Sequence, residues 1–268
     1  DWQRYYDLIR KFQPKANIAI CGPDIRWVGN EGGKSRKSEY SVVPCALREA
    51  DRIMALSQQD ENQASSLQKY NQMDEDLGSR KILEKNAYIC WFPAEVDVSI
   101  RKGWFFHEKD NRNSKSAKKL FKIYLNSVGN NCTLLLNIPP TPQGEIHKKD
   151  AKNLKKLGSM IKNITANPIV YNELGELTKD NGVLDFDFND TRKVKYVVLQ
   201  EDITKSQRVE LFDLYIKKAN GKYKRVYKGT VIGSKKIINL KGKKANGIRF
   251  VIRQSRSNPV IKSIGIYE

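Results

Sequence analysis

Residues 16–31 read ANIAICGPDIRWVGNE, and this stretch constrains the fold more than any other part of the chain. Residues 18–21 are apolar without polar alternation, which predicts a parallel strand over 17–21 that is buried on both faces. Gly22-Pro23 stops the hydrogen-bonded ladder. Four polar or aromatic residues follow at once, namely Asp24, Arg26, Trp27 and Glu31. We therefore expect them at the carboxyl end of a strand, where catalytic side chains collect in barrels and open parallel sheets.

Helical and strand patterns alternate along the first 165 residues. The predicted helices cover 1–13, 116–131 and 147–164, and the predicted strands cover 17–21, 87–101 and 134–136. This order favours an α/β fold with parallel strands. The polar stretch 50–86 interrupts it, and we interpret that stretch as a long excursion on the face of the site with short helices of its own.

The pattern changes near residue 166. Short runs rich in β-branched and aromatic residues follow one another with little helix between them, which predicts an antiparallel β-sandwich. Asn220-Gly221 signals a hairpin with a type I′ turn. The predicted division is thus an α/β domain over 1–165 and a β-sandwich domain over 166–268.

The α/β part is predicted to be incomplete. It opens on a helix without a preceding strand, and it contains about four strands where a closed parallel barrel has eight. The strand edges left open would be prone to aggregation. We therefore expect the chain to be the carboxyl-terminal part of a longer polypeptide, or to pair with a separate chain that supplies the rest of a (β/α)8 TIM-like barrel.

Composition argues against several classes of protein. The net charge of +19 raises the question of nucleic acid, but the charge is spread over both halves. In the one basic and aromatic segment, 217–228, strand alternation predicts Tyr223 and Tyr227 on one face and most lysines on the other, which disfavours nucleic-acid binding. No apolar run is long enough to span a bilayer, so no membrane contact is expected. Four dispersed cysteines and two histidines disfavour a zinc site, and no metal or cofactor is predicted.

Glu31 is the first candidate catalytic residue. It lies in a glycine-flanked loop beside Trp27, where partial desolvation would suit a carboxyl group to act as a general acid. The alternative is a solvated loop glutamate. Glu39 is a rival for the role, but Arg36 and Lys37 beside it favour an ion pair.

The second candidate cluster lies at 90–107, where aromatic and charged residues are interleaved. Its members of interest are Trp91, Glu95, Arg101 and Trp104. Aromatic rings stack on the apolar faces of sugars while carboxylates and arginines hold hydroxyl groups, so the combination suggests a carbohydrate pocket. Asp24 and Trp27 are further candidates for substrate binding. Each residue taken singly could instead be aromatic core or surface charge.

Five segments together resemble the α-L-fucosidases of glycoside hydrolase family 29. They are ICGPDIRWVGNE (20–31), SEYSVVP (38–44), WFPAEVDVSIRKGWFFH (91–107), SVGNNCTLLLNIPPTPQG (127–144) and VVLQEDITKSQRVELF (197–212). The resemblance covers essentially the whole chain in the order of the family, and its third and fourth segments are long and specific.

The resemblance implies a (β/α)8-like barrel followed by a β-sandwich, and a retaining double displacement on terminal α-1,3/1,4-linked fucose. It assigns the acid/base role to Glu31 and aligns Trp104, Trp91 and Glu95 with the lining of the fucose pocket. The nucleophilic aspartate and the fucose-binding histidines of the family lie before the segments matched here. The expected partners are therefore a fucosylated glycan and the missing amino-terminal half, and the isolated chain is expected to be inactive.

Two other functions remain open on the sequence. One is a non-catalytic glycan-binding module, and the other is a basic adaptor for nucleic acid, whose affinity would fall steeply with salt. The resemblance further implies a secreted or periplasmic protein, with its signal expected upstream.

Overall fold

A computed structural model describes residues 1–19, 22–48, 70, 74–110, 113–178 and 182–268. The helices are α1 (Trp2–Phe12), α2 (Arg80–Leu83), α3 (Ala117–Ser127) and α4 (Lys148–Lys162). The strands of the first part are β1 (Arg26–Trp27), β2 (Val42–Pro44), β3 (Ile89–Trp91), β4 (Ala94–Ser99) and β5 (Thr133–Asn137). Those of the second part are β6 (Pro168–Glu176), β7 (Val183–Glu201), β8 (Val209–Lys217), β9 (Tyr223–Gly229), β10 (Lys236–Ser255) and β11 (Val260–Tyr267).

Three parallel strands, in the order β1, β4, β5, position the candidate site. The register places Trp27 beside Glu95, and Ser99 beside Asn137. Since side chains alternate along a strand, Glu95, Asp97 and Ser99 share one face, while Val96 and Val98 point to the other. Val96 is buried in an apolar cluster with Val28. The sheet therefore has one apolar face and one that carries polar side chains.

Two helices follow the predicted amphipathic pattern and form an apolar layer. Leu120 of α3 and Leu157 of α4 are buried together with Ile100, which follows β4. Helix α1 also forms as predicted, capped by Asp1, but none of its residues is buried. The α/β class and the parallel pairing are confirmed for these strands. The eight-stranded barrel and its incompleteness stay predictions.

Two strand predictions were wrong in detail. The described residues of the expected strand, 17–19, form no strand, and Ile20 and Cys21 lie outside the described residues. The strand that forms is β1, which follows Gly22-Pro23 instead of preceding it, and parallel pairing to β4 supplies its hydrogen bonds. The expected strand at 87–101 is two strands: β3 pairs with β2, and Pro93 separates it from β4. Most of the 50–86 excursion lies outside the described residues.

The second part is antiparallel, as predicted. One six-stranded sheet has the order β6, β11, β7, β10, β8, β9. Its largest buried side chains include Leu199, Phe212, Leu214, Phe250 and Ile264. Register shifts interrupt the long strand β10 on both of its edges. Hydrogen bonding joins all six strands into one sheet, so the division into the two layers of a sandwich stays a prediction.

The hairpin after β8 forms, but its turn differs from the predicted type I′. Gly221 has a positive φ of 76°, and Asn220 does not. The N–H of Gly221 donates to the Lys218 carbonyl, and the N–H of Lys218 donates to the Lys222 carbonyl. This arrangement is a type I turn followed by a left-handed glycine, the common three-residue hairpin loop.

The prediction that Tyr223 and Tyr227 share a face was wrong. The Tyr227 ring packs against the core residue Phe212, whereas the Arg249 guanidinium lies 3.9 Å from the centre of the Tyr223 ring. A register shift between Leu214 and Tyr215 in the β8–β9 pairing breaks the alternation and places the two rings on opposite faces.

Asn131 joins the two parts of the chain. Its Nδ2 donates to the Glu39 carbonyl (2.8 Å) and to Ser41 Oγ (3.0 Å), and its Oδ1 accepts from the Ser234 N–H (2.8 Å). The residue is 4% exposed and has a positive φ of 68°. Among the described residues, no helix has the length and apolar character needed to cross a membrane.

Candidate functional site

Glu31 lies in the loop that follows β1, at the carboxyl ends of the parallel strands. The side chain of Asn30 organises this loop, because its Oδ1 accepts from the Gly32 and Lys34 N–H groups. The N–H of Gly33 donates to the Asp97 carbonyl, which ties the loop to β4. Glu31 is exposed, yet its Oε2 accepts a hydrogen bond of 2.8 Å from Trp104 Nε1. One residue from each of the two predicted candidate clusters, Glu31 and Trp104, is therefore in direct contact with the other.

Trp104 is held by the ends of β4 and β5. Asn137 Nδ2 donates to the Trp104 carbonyl (2.9 Å) and to Ser99 Oγ (3.1 Å). Lys115 Nζ donates to the Ser99 and Arg101 carbonyls at the start of the same loop. Burial lowers the pKa of Lys115. The loop from Ile100 to Trp104 is thus fastened at both of its ends.

The polar face of the sheet carries two more carboxyl groups. Glu95 and Asp97 are each 4% exposed. Trp27 Nε1 donates to Asp97 Oδ1 at 2.9 Å, and within the described part of the chain Glu95 Oε1 is buried with no hydrogen-bond partner. Burial raises the pKa of both groups; the charge of Asp97 adds to the effect on Glu95, and the charge of Glu31 adds to that on Asp97. Trp27 and Glu95 therefore lie on the polar face of the sheet together with Asp97.

Arg101 does not face the site. Its Nε donates to Asp150 Oδ2 at 2.7 Å, both side chains are fully buried, and the guanidinium lies 4.5 Å from the centre of the Phe106 ring. The structure thus places it as a buried ion pair that attaches the loop after β4 to helix α4, which differs from the expected contact with substrate.

Asp24 and Trp91 lie at the opposite end of the strands. They line a cleft of about 590 Å³ together with Pro93 and Thr133, which mark the amino ends of β4 and β5. Asp24 accepts from Arg10 and from the Ile18 N–H. These contacts outweigh burial and lower the pKa of Asp24. Sequence reasoning grouped these residues with Glu31, and the structure separates them because the strand that precedes Glu31 is β1.

Glu39 forms the expected ion pair. It is buried, and it accepts from Arg26 Nη2 (3.1 Å) and Arg36 Nε (2.7 Å). No group of three or more potential metal ligands occurs among the residues that the structure describes.

Sequence reasoning gave no role to Ser99 and Asn137, and it included Asp97 only as one charged residue of the 90–107 cluster. All three lie on the polar face of β4 or β5, where the register pairs Ser99 with Asn137. The available signal was Asn137 itself, a polar residue that closes an all-apolar strand.

The chain is similar to known proteins in sequence and in fold. Residues 2–165 match the family model for alpha-L-fucosidase. Alpha-L-fucosidase 1 of Arabidopsis thaliana is 28% identical over 98% of this chain and 53% of its own length. A Bacteroides ovatus crystal structure, assigned provisionally to the alpha-L-fucosidases, is 39% identical with a TM-score of 0.83, over the whole of this chain and 45% of its own.

A glycoside hydrolase family 29 member from an unknown rumen bacterium is 29% identical, with a TM-score of 0.76 over the whole of this chain and 45% of its own. The chain thus spans about half the length of the relatives it matches. The family match covers more than half of the chain and includes Glu31, Trp104 and the three parallel strands. We conclude that the chain belongs to the alpha-L-fucosidases of glycoside hydrolase family 29.

Proposed function

We propose that this chain supplies the acid/base half of a retaining exo-α-L-fucosidase that removes terminal α-1,3/1,4-linked fucose from glycans. The observation that carries the proposal is the hydrogen bond of 2.8 Å between Trp104 Nε1 and Glu31 Oε2 at the carboxyl ends of parallel strands. In this fold class, that edge of the sheet is where catalytic groups lie.

In this proposal the two oxygens of Glu31 have different tasks. Oε2 accepts from the Trp104 indole, so Oε1 is available to carry the acidic proton. In the first displacement, Glu31 donates that proton to the glycosidic oxygen as a nucleophilic carboxylate attacks the anomeric carbon. In the second, Glu31 takes a proton from the water that releases fucose. Trp104 presents an indole next to this proton transfer.

We further propose that the nucleophile is supplied by a part of the enzyme outside this chain, so that residues 1–165 form the carboxyl-terminal half of a (β/α)8 domain and 166–268 a β-sandwich. The polar face of the parallel sheet supports this proposal, because Glu95 Oε1 has no partner among the described residues and Leu135 is 43% exposed on the same face. We also propose that the complete enzyme is secreted or periplasmic.

The test is Glu31→Gln in the complete enzyme. We expect kcat/KM on a fucosylated Lewis-type oligosaccharide to fall about 10²- to 10⁴-fold, the usual contribution of a general acid. An aryl fucoside with a good leaving group needs less protonation, and its kcat/KM should fall much less. The matched control is Glu173→Gln, which changes an exposed glutamate in β6 and should leave kcat/KM unchanged on both substrates. Equal losses on the two substrates would contradict the assignment.

The isolated chain provides a second measurement. We expect no turnover of either substrate, and activity on addition of the amino-terminal half. Robust turnover by the chain alone would show that the nucleophile lies within it.

A further inference from the structure

A continuous set of hydrogen bonds runs from the end of β5 to the candidate acid/base. Asn137, the last residue of β5, donates to the Trp104 carbonyl at 2.9 Å. The indole of Trp104 then donates to Glu31 Oε2 at 2.8 Å. Asn137 is 33 residues from Trp104 in sequence, and Trp104 is 73 residues from Glu31. The set therefore links the loop after β1, the loop after β4 and the end of β5.

The amide group of Asn137 suits this place because it bridges two parts of the neighbouring segment. Its Nδ2 donates to Ser99 Oγ at 3.1 Å as well as to Trp104. Ser99 is the last residue of β4 and is 6% exposed, so one end of the bridge is fixed in the sheet. Ser99 Oγ also accepts from the Arg101 N–H at 3.2 Å. The amide thus sets the position of the Trp104 backbone relative to rigid strands.

The position of Glu31 depends on this bridge. Glu31 is exposed in a glycine-rich loop, and in the described part of the chain the side chain that donates to its carboxylate is Trp104. If the Trp104 backbone moves, the indole and the carboxylate move with it. A displacement of about 1 Å at a catalytic group can reduce a rate about 10²-fold.

Resting on the proposed function, we propose that Asn137 is a positioning residue for proton donation, which holds Trp104 so that its indole orients Glu31. Asn137 itself is not assigned a contact with substrate. The proposal concerns the two N–H donors of its amide, and it predicts that a variant of the same size without those donors behaves like a truncation.

The kinetic test uses Asn137→Ala and Asn137→Asp in the complete enzyme. We expect both to lower kcat/KM on the oligosaccharide about 10- to 100-fold and on 4-nitrophenyl fucoside less than about threefold, because only the first substrate depends strongly on the acid. In a Glu31→Gln background, Asn137→Ala should have no further effect on the oligosaccharide. The control is Asn153→Ala in helix α4, which removes a similar hydrogen bond, from the Asn153 side-chain amide to Ser114 Oγ (3.2 Å).

Equal losses on the two substrates, or wild-type kinetics for Asn137→Asp, would overturn the proposal, since either result indicates packing alone. Additive losses in the double variant would overturn it as well. If the wild-type enzyme turned over neither substrate, the proposed function would fail instead.

A spectroscopic test separates the two proposals without any turnover. The chain has four tryptophans, so ¹⁵N-labelled indole groups give four N–H resonances, and Trp104→Phe identifies one of them. We expect that resonance to shift in Glu31→Gln, Asn137→Ala and Asn137→Asp of the isolated chain and to stay in place in Asn153→Ala. An unchanged resonance in both Asn137 variants would overturn the positioning role, whatever the enzyme's activity.

Discussion

At the scale of single residues, Lys236 is the buried charge with the clearest consequence for stability. It is 2% exposed at the junction of the two parts of the chain, and its Nζ donates to Asn130 Oδ1 (2.8 Å) and to the Lys37 carbonyl (3.1 Å), neither of which is an anion. The Tyr227 ring lies 5.9 Å from Nζ. Burial lowers the pKa of Lys236 to about 8; the Lys37 charge adds to this and Cys132 opposes it.

This shift predicts that the contribution of Lys236 to stability rises with pH. Between the folded and unfolded pKa values, the unfolded chain binds more protons at this site, so the free energy of unfolding increases as pH rises. From pH 7.5 to pH 9.5 the gain is about 2 kcal/mol. The measurement is urea unfolding across that range. Burial also raises the pKa of Cys90 to about 11 and raises that of Cys132, so these thiols lower the free energy of unfolding over the same range, and the gain is the difference between wild type and Lys236→Met. Burial raises the pKa of Tyr40 and Tyr227 to about 12, which adds to the opposing effect only near pH 10 and above.

Lys236→Met should remove that gain, because no titrating group remains at the position. Lys224→Met, which changes an exposed lysine of β9, should keep it in full. The same pH dependence in wild type and Lys236→Met from pH 7.5 to 9.5 would show that this lysine does not contribute.

At the scale of elements, two glycines predict opposite responses to the same substitution. Gly221 closes the β8–β9 hairpin at φ 76°, where an L-residue is strained, so Gly221→Ala should destabilise by about 1 kcal/mol. Gly158 lies inside helix α4 with open space around its Cα, so Gly158→Ala should stabilise by about 0.5 to 1 kcal/mol. Thermal unfolding of the two variants checks both signs, and a shift in the same direction would contradict the turn assignment.

Elements with strong local patterns were predicted well, and those defined by distant partners were not. Helices α3 and α4 carry a helical apolar stripe and were found within a few residues of their ends. Strand β1 was misplaced because it contains a buried arginine, and only pairing to β4 and the ion pair of Arg26 with Glu39 make it a strand. Periodicity along the chain contains no information on either contact.

In the candidate site, too, local sequence patterns were predicted well and contacts between distant residues were not. Glu31 and Trp104 were both identified as candidates because they lie in distinctive segments at strand ends, and the structure shows the hydrogen bond between them. The role of Asn137 was missed because it depends on strand register, and the burial of Arg101 was missed because its partner, Asp150, is 49 residues away.

At the scale of the whole molecule, the junction between the parallel and antiparallel sheets depends on Asn131. Gly233 packs so closely that a Cβ there would lie 2.1 Å from Asn131 Oδ1. Asn131→Asp keeps the size of the side chain and its tolerance of positive φ, but it replaces the donor to the Glu39 carbonyl. We expect a loss of about 1 to 3 kcal/mol, the range for a buried hydrogen-bonding group left without its partner.

Calorimetry of Asn131→Asp measures that loss, and Asn189→Asp, at an exposed position in β7, should change stability by less than about 0.5 kcal/mol. Equal effects of the two substitutions would mean that the junction does not depend on the Asn131 amide.

The buried amide of Asn131 also limits how this protein can be produced. Asn131-Cys132-Thr133 is an acceptor sequence for N-linked glycosylation, as are 163–165 and 189–191. Asn163 and Asn189 are exposed and could carry an oligosaccharide on the folded chain. At Asn131 the nitrogen that would be glycosylated is the one that donates to Glu39 and Ser41. A sugar attached there during synthesis in a yeast or animal secretory pathway would therefore prevent the parallel and antiparallel sheets from packing together.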